Sequence, residues 1–447
     1  MSDFPAPQDW QMLIGGQWVD ALDGSRADVI TPIDRTVVIA TVPDGKPEDA
    51  DRAVAAAREA FTAWSALHFK DRQKLLLKCA DALEAAAEEL AQLTSLDTGN
   101  ALRTQARPEA QTLVDLFRYM GGVAGEVKGV TLPAGDGQLQ YTKREPLGVV
   151  AGILPWNSPL MIAAFKTPAA LAAGNTLVLK CAEDAPLTIL RMGQIIGEIL
   201  PPGVLNIVTG LGGVIGEALV QHHDVDKVSF TGSTLVGRHV AEVAGRRLAH
   251  SSMELGGKSP TIVFPDSNTP EVLDQVVLST RFARQGQSCT SGSRLFLHAD
   301  IYEDFLAGLV ERISAMKVGD PRDEATDIGC VINQKQWDRI ADYIGIGKSM
   351  DGVEIAYDGT DSLEVGEPGF YHAPIIFSKA RNDWRTSREE IFGPVLSVIP
   401  WTDEEEVLAM ANDSDYGLAA FVFTKDVDKA LGFADRIESG WVQVNQG

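Results

Sequence analysis

A chain of 447 residues, 45% apolar and 23% charged, has material for two or three domains with sizeable cores, which excludes a disordered, collagen-like or disulfide-stapled protein. Lys plus Arg total 39 against 62 for Asp plus Glu, a net charge of -23. So acidic a surface repels phosphate backbones and anionic lipid, so no nucleic acid and no membrane partner is expected.

The opening MSDFPAPQDW has no basic segment and no apolar run, so no export leader is expected. The first third then reads as helical. From Pro47, the residues Ala53, Val54, Ala57, Ala60, Phe61 and Trp64 recur at three- and four-residue steps, and Pro47 suits a first helical position. A second helix is expected from about residue 71 to 96, stopping at Gly99, a natural C-terminal cap. After a third helix, strict alternation over residues 137–145 predicts one arm of a hairpin, with its mate near residues 128–132.

Residues 146–165 carry no charge and mimic a membrane span, but Pro146, Gly148, Gly152, Pro155, Asn157 and Pro159 interrupt it. A buried strand, a turn and a helix start is the reading. From Gly148, the runs LGVVAGIL, NTLVLK, VLNIVTG and VDKVSF are each followed by a helical segment. That alternation predicts parallel strands wound by crossover helices, a nucleotide-binding type of architecture. Beyond Gly257, PTIVF and residues 294–298, 374–377, 395–400 and 418–424 predict a second α/β domain.

The strongest local chemical signal is Gln285-Gly286-Gln287-Ser288-Cys289-Thr290-Ser291-Gly292. A cysteine among Gly and small hydroxyl residues is open to a substrate, which suits a nucleophile; a small buried hydrophobe is the plainer alternative, and it fits Cys79 on its amphipathic helix better. In Phe230-Thr231-Gly232-Ser233-Thr234-Leu235-Val236-Gly237 a Gly-rich turn follows a strand and opens a helix, as a phosphate site requires. Its spacing is G-x-x-x-x-G, and a turn glycine plus a helix-packing glycine explain it equally well. Glu254 in MELGGK, at the end of an apolar segment, is a general base or a solvated strand-end charge. Asn157 after Pro155-Trp156 is an oxyanion donor or an ordinary turn residue. The seven histidines show no zinc spacing, and the adjacent His222 and His223 would diverge on a helix, so no metal site is expected. Cys79, Cys181, Cys289 and Cys330 lie far apart with no C-x-x-C pair, which fits a reducing cytoplasm.

Together these pieces resemble the aldehyde dehydrogenase superfamily. PWN at 155–157, LVLKCAEDAP at 177–186, FTGSTLVG at 230–237, ELGGKSP at 254–260, GQSC at 286–289 and EEIFGPV at 389–395 appear in the family's order and approximate spacing, and the resemblance runs from about Leu13 to the last residue. It implies an α/β fold: a Rossmann-like NAD-binding domain over residues 1–122 and 147–257, a catalytic domain over 258–447, and a small oligomerisation hairpin over 123–146. It implies Cys289 as nucleophile, Glu254 as base and Asn157 as oxyanion donor beside the Cys289 backbone N–H. It implies NAD as cofactor, with Lys180 and Glu183 at the ribose, Trp156, Gly212, Gly232, Ser233 and Leu255 around the dinucleotide, Glu390 and Phe392 at the nicotinamide riboside, and Gln336 as a further contact. Lys166 matches a lysine near the active site. The expected reaction is NAD-dependent oxidation of a small-molecule aldehyde to the acid through a Cys289 thiohemiacetal and thioester, in a cytoplasmic homodimer or homotetramer.

There are departures from the family pattern. Ser158 replaces a bulky aromatic, which would widen the substrate entrance. Arg284 stands where an Asn is common, with Arg281 nearby; the pair suits a polar or anionic aldehyde, or else simply faces solvent or a structural carboxylate. The chain stops just after a strand over 441–445, so a longer polypeptide is expected, with a tunnel-lining segment and a strand beside the hairpin. Three other readings compete: an acyl-CoA-forming relative, against which Glu254 argues; a catalytically silent scaffold protein; and a papain-like thiol hydrolase, for which no downstream histidine has a recognisable context.

Overall fold

The computed structural model describes residues 4, 6–363 and 368–447; residues 1–3 and 5, part of the stretch read for a leader, lie outside the described residues. Two compact units emerge: Thr36–Asp97 and Ala106–Glu254 with the described residues up to Thr31, and Leu255–Gly447 with Pro32–Arg35 and Thr98–Gln105. No helix among the described residues is long and apolar enough to cross a membrane.

The first unit is built on a seven-stranded sheet in the order His250–Glu254, Lys227–Thr231, Val149–Ile153, Thr176–Lys180, Leu205–Val208, Met12–Ile14, Gln17–Val19. The first five are mutually parallel, as the strand–helix alternation predicts. Val149–Ile153 and Thr176–Lys180 are buried at every position, which is why they read as unbroken apolar runs. Chain order reverses at Val149–Ile153: the next two strands extend the sheet on one side, and Lys227–Thr231 returns to the other. A doubly wound sheet binds ligands beyond the carboxyl ends of its strands at such a switch point.

The opening of the chain is not helical as expected. Gln8–Asp9, Arg26–Ile30 and Val38–Pro43 form a three-stranded sheet, while Met12–Ile14 and Gln17–Val19 join the large one as a hairpin. The hairpin turns through Gly15 and Gly16 at φ 62° and 79°, the left-handed pair that a two-residue loop requires. Gln8–Asp9, Met12–Ile14 and Gln17–Val19 are too short to show periodicity, and Arg26–Ile30 is exposed at four of its five positions. Helix Pro47–Ala66 begins at its proline as expected. The helix expected over 71–96 is two, Phe69–Ala85 and Ala87–Thr98, divided at Ala86, whose N–H turns back to Leu83 O. No residue there is a helix breaker, so nothing local in the sequence marked the division. The hairpin exists with the expected pairing but only as Thr131–Leu132 and Gln140–Tyr141, exposed throughout.

In the second unit the sheet order is Glu354–Asp358, Ile375–Ser378, Val395–Trp401, Arg294–His298, Pro260–Val263, Ala419–Phe423, Trp441–Val444, parallel except for the first pair. Phe282, Leu295, Phe305, Val398 and Phe421 pack one core cluster; Phe264, Phe296, Trp401 and Phe433 pack another. Arg294 lies buried at the start of its strand, with Nε donating to Lys258 O and the guanidinium to the carbonyls of Met410 and Ala411. It ties the loop that holds Lys258 to the end of helix Glu404–Asn412.

Candidate active site

Within the first unit, each expected cofactor residue lies just past the carboxyl end of a parallel strand. Trp156 and Asn157 follow Val149–Ile153, Lys180 ends its strand with Glu183 in the turn beyond, Gly212 follows Leu205–Val208, and Gly232 and Ser233 follow Lys227–Thr231. Lys180 is 2% exposed, and its Nζ donates to Glu183 Oε2 at 2.7 Å. Burial pushes the Glu183 carboxyl upward, but the Lys180 charge and hydrogen bond prevail and hold it below the usual carboxylate range. The atoms nearest a Cβ built on Gly212 belong to that pair, Lys180 Nζ and Glu183 Oε1 at 3.8 Å, so backbone there lies in ordinary contact with two fixed polar groups. Ser233 caps helix Thr234–Arg246, its Oγ accepting from Val236 N. An exposed N-terminus of this kind suits a phosphate. The donors, carboxylate and glycine fit a dinucleotide.

Glu254 ends strand His250–Glu254, which among the described residues pairs only with Lys227–Thr231 and is half-exposed. The expected apolar segment is instead HSSME, a polar rim strand, and the Glu254 side chain is exposed. Its carbonyl accepts from Gly232 N at 3.1 Å, joining the base's backbone to the Gly-rich turn. Lys166 is buried in helix Pro159–Ala172 and donates to Ser229 Oγ at 2.8 Å; Ser252 Oγ reaches the same hydroxyl at 3.3 Å. Burial lowers Lys166 to about 8, with Glu254 acting in the opposite sense. This hydroxyl pair was missed in the sequence, where Ser229 and Ser252 are unremarkable strand residues. Ser158 is buried, 1% exposed, and precedes helix Pro159–Ala172.

In the second unit the candidates gather at the amino ends of parallel strands. Leu255–Ser259 precede Pro260–Val263, Gln285–Ser293 precede Arg294–His298, and Glu390–Gly393 precede Val395–Trp401. Three glycines let these loops interlock. A Cβ on Gly257 would lie 2.3 Å from Cys289 O, one on Gly256 2.3 Å from Glu390 Oε2, and one on Gly286 2.1 Å from Gly393 O. Gly257 N donates to Glu390 Oε1 at 3.0 Å. Gly257→Ala is therefore expected to displace the Cys289 backbone, costing about 1–3 kcal/mol of stability and lowering turnover, read by thermal melting and by reduction of nicotinamide.

Cys289 is half-buried, whereas Cys79, Cys181 and Cys330 are buried. Burial pushes Cys79 and Cys181 up to about 12 and Cys330 higher still, so none of these three supplies a thiolate at neutral pH. Glu390 is raised by burial, opposed by the Gly257 N–H and Lys258; Lys258 falls to about 7 through burial and then Arg294. Gln336 donates through Nε2 to Ile391 O at 3.1 Å and Phe392 O at 2.9 Å. It thus props the loop in which Phe392 has φ 62°. Its amide nitrogen is occupied by protein.

His222 and His223 do not diverge on a helix: they follow Glu217–Gln221, and their rings stack at 5.0 Å. With Asp224 they present donor atoms within 4.8 Å of one another. His222 Nδ1, however, accepts from Asp224 N and closes the turn.

The Aldehyde dehydrogenase family model matches residues 18–447. The mitochondrial aldehyde dehydrogenase of Leishmania tarentolae is 40% identical over 438 residues, 97% of this chain and 86% of its own length. A hydroxyisobutyraldehyde dehydrogenase from Mycolicibacterium austroafricanum is 39% identical, over 97% of this chain and 85% of its own. The NAD+ complex of an aldehyde dehydrogenase from Bacillus cereus is similar with a TM-score of 0.94 at 37% identity, covering 98% of this chain and 89% of that one.

Proposed function

The chain belongs to the aldehyde dehydrogenase family, whose members oxidise aldehydes with NAD(P), and from that premise we propose how its residues divide the NAD-dependent oxidation of an aldehyde to an acid. Cys289 attacks the aldehyde carbon and forms a thiohemiacetal. Asn157 and the Cys289 backbone N–H donate to the oxygen as its charge develops. NAD, when bound, supplies the acceptor for the hydride that leaves this adduct, converting it to a thioester. Glu254 then takes a proton from water as it attacks the thioester and returns it to the departing Cys289 sulfur, which releases the acid and restores the thiol. Lys180, Glu183, Trp156, Gly212, Gly232, Ser233 and Leu255 would hold the dinucleotide, with Glu390 and Phe392 at its nicotinamide riboside and Gln336 supporting Phe392.

The observation that carries this reading is the contrast among the thiols, with Cys289 half-buried on a glycine-lined loop and the other three buried. Nothing favours a catalytically silent scaffold. We place the enzyme in a reducing cytoplasm, as a homodimer or homotetramer assembled through the Thr131–Leu132 and Gln140–Tyr141 hairpin. The test is absorbance of reduced nicotinamide with propanal: steady formation supports the reading, and no reduction at any aldehyde concentration defeats it.

NAD is expected to be used in preference to NADP. Glu183, kept ionised by Lys180, accepts from ribose hydroxyls and repels a 2′-phosphate. Glu183→Ser should narrow the ratio of specificity constants between the two cofactors. Equal values in the unaltered enzyme would refute the assignment of Glu183.

A further inference from the structure

The turn leading to Cys289 has an arginine at each side. Phe282–Arg284 form a single 3-10 turn; Arg281 precedes it at φ 57°, and Gln285 follows at φ 55°. Left-handed backbone at two non-glycine residues persists only where the surroundings over-determine it. Here Gly286 N is tied to Arg281 O at 3.0 Å, Gln287 N to Arg284 O at 2.8 Å, and Ile332 N to the Gln287 carboxamide at 3.1 Å. The positions of both arginines relative to the Cys289 loop are thereby fixed.

Neither guanidinium meets an anion among the described residues. Arg281 donates to Leu278 O at 3.2 Å and stands over the Phe421 ring at 5.6 Å. The Arg284 side chain has no hydrogen-bond or ion-pair partner among the described residues, so the structural carboxylate considered from sequence is not there. Elsewhere in the unit Arg312, Arg322, Arg385, Arg388 and Arg436 each hold a carboxylate, while Arg294 and Arg339 donate to backbone carbonyls. Burial first and the Arg284 charge second lower Arg281 to about 10, with Cys289 acting in the opposite sense, so the three groups share one electrostatic neighbourhood. Two like charges, both half-buried and without a counter-ion, are a standing cost that an anion beside them would relieve.

We infer that Arg281 and Arg284 recognise the far end of the substrate and select aldehydes carrying an anionic group, a carboxylate or a phosphate. This rests on the dehydrogenase reading above. The net charge of -23 repels such a substrate at long range, so a local cationic pair is what makes it acceptable.

The experiment compares specificity constants with NAD for 5-oxopentanoate against pentanal, and for glyceraldehyde 3-phosphate against glyceraldehyde. The unaltered enzyme should favour at least one anionic member, and the pair it favours tells carboxylate from phosphate. Arg284→Gln, whose side chain holds nothing else in the protein, should cut that preference on the order of 10-fold through KM, and Arg281→Gln by a similar factor. Arg284→Lys should restore part of it, and Arg284→Glu should invert it. Equal use of charged and neutral members, or a preference untouched in both Gln variants, overturns the inference alone. Failure to reduce NAD with any of the four aldehydes overturns the dehydrogenase reading and the inference with it.

Discussion

Cys289→Ala is expected to abolish aldehyde oxidation while NAD binding persists. Without the thiol no covalent adduct forms, and the path to the thioester is closed, so turnover should fall by about 10³-fold or more. Cofactor affinity, measured by quenching of intrinsic fluorescence, should remain within a few-fold, because the proposed dinucleotide residues Lys180 and Glu183 lie in the other compact unit. Cys79→Ala, Cys181→Ala and Cys330→Ala serve as controls. Each removes a buried sulfur that burial already keeps protonated, so stability drops and chemistry per folded molecule does not. Comparable activity in Cys289→Ala would end the assignment of the nucleophile.

Glu254→Gln is expected to separate the two halves of the reaction. Thioester hydrolysis needs a base to activate water, whereas hydride loss from the first adduct does not. Stopped-flow absorbance should therefore retain a rapid burst of about one reduced nicotinamide per chain, followed by steady turnover lowered by about 10²-fold. A burst that vanishes with the substitution would move Glu254 to an earlier role, such as activating the thiol.

Much of this architecture was legible before the structure. The run of β-branched strands and crossover helices after Gly148 is regular, and parallel strands buried at every position, such as Thr176–Lys180, announce themselves as apolar runs. The Cys289 loop stood out because small polar residues are poor core packing. Of the opening strands, Gln8–Asp9, Met12–Ile14 and Gln17–Val19 were not legible because they span two or three residues each, and Arg26–Ile30 because four of its five positions are exposed; the one available signal was the Gly15-Gly16 pair between Ile14 and Gln17. Glu254 was placed on an apolar segment, whereas its strand is polar because it lies at the rim of the sheet. The interlock of Gly257 with Cys289 O, and the hydrogen bond from Lys166 to Ser229, join residues remote in the chain. No local pattern encodes such contacts; they exist only once the strands have been brought into register.

The rim strand that ends in Glu254 has a dynamic consequence. Among the described residues His250–Glu254 is held within its sheet on one side only, by Lys227–Thr231, and contributes almost nothing to the buried core. Its local opening free energy should therefore sit well below the global unfolding free energy, since separating it exposes little apolar surface and leaves the four neighbouring parallel strands paired. Glu254 can thus change the direction of its carboxylate through a small excursion of its own backbone, on a timescale independent of the breathing of the domain. A base fixed to Val149–Ile153, buried at every position, would have no such freedom.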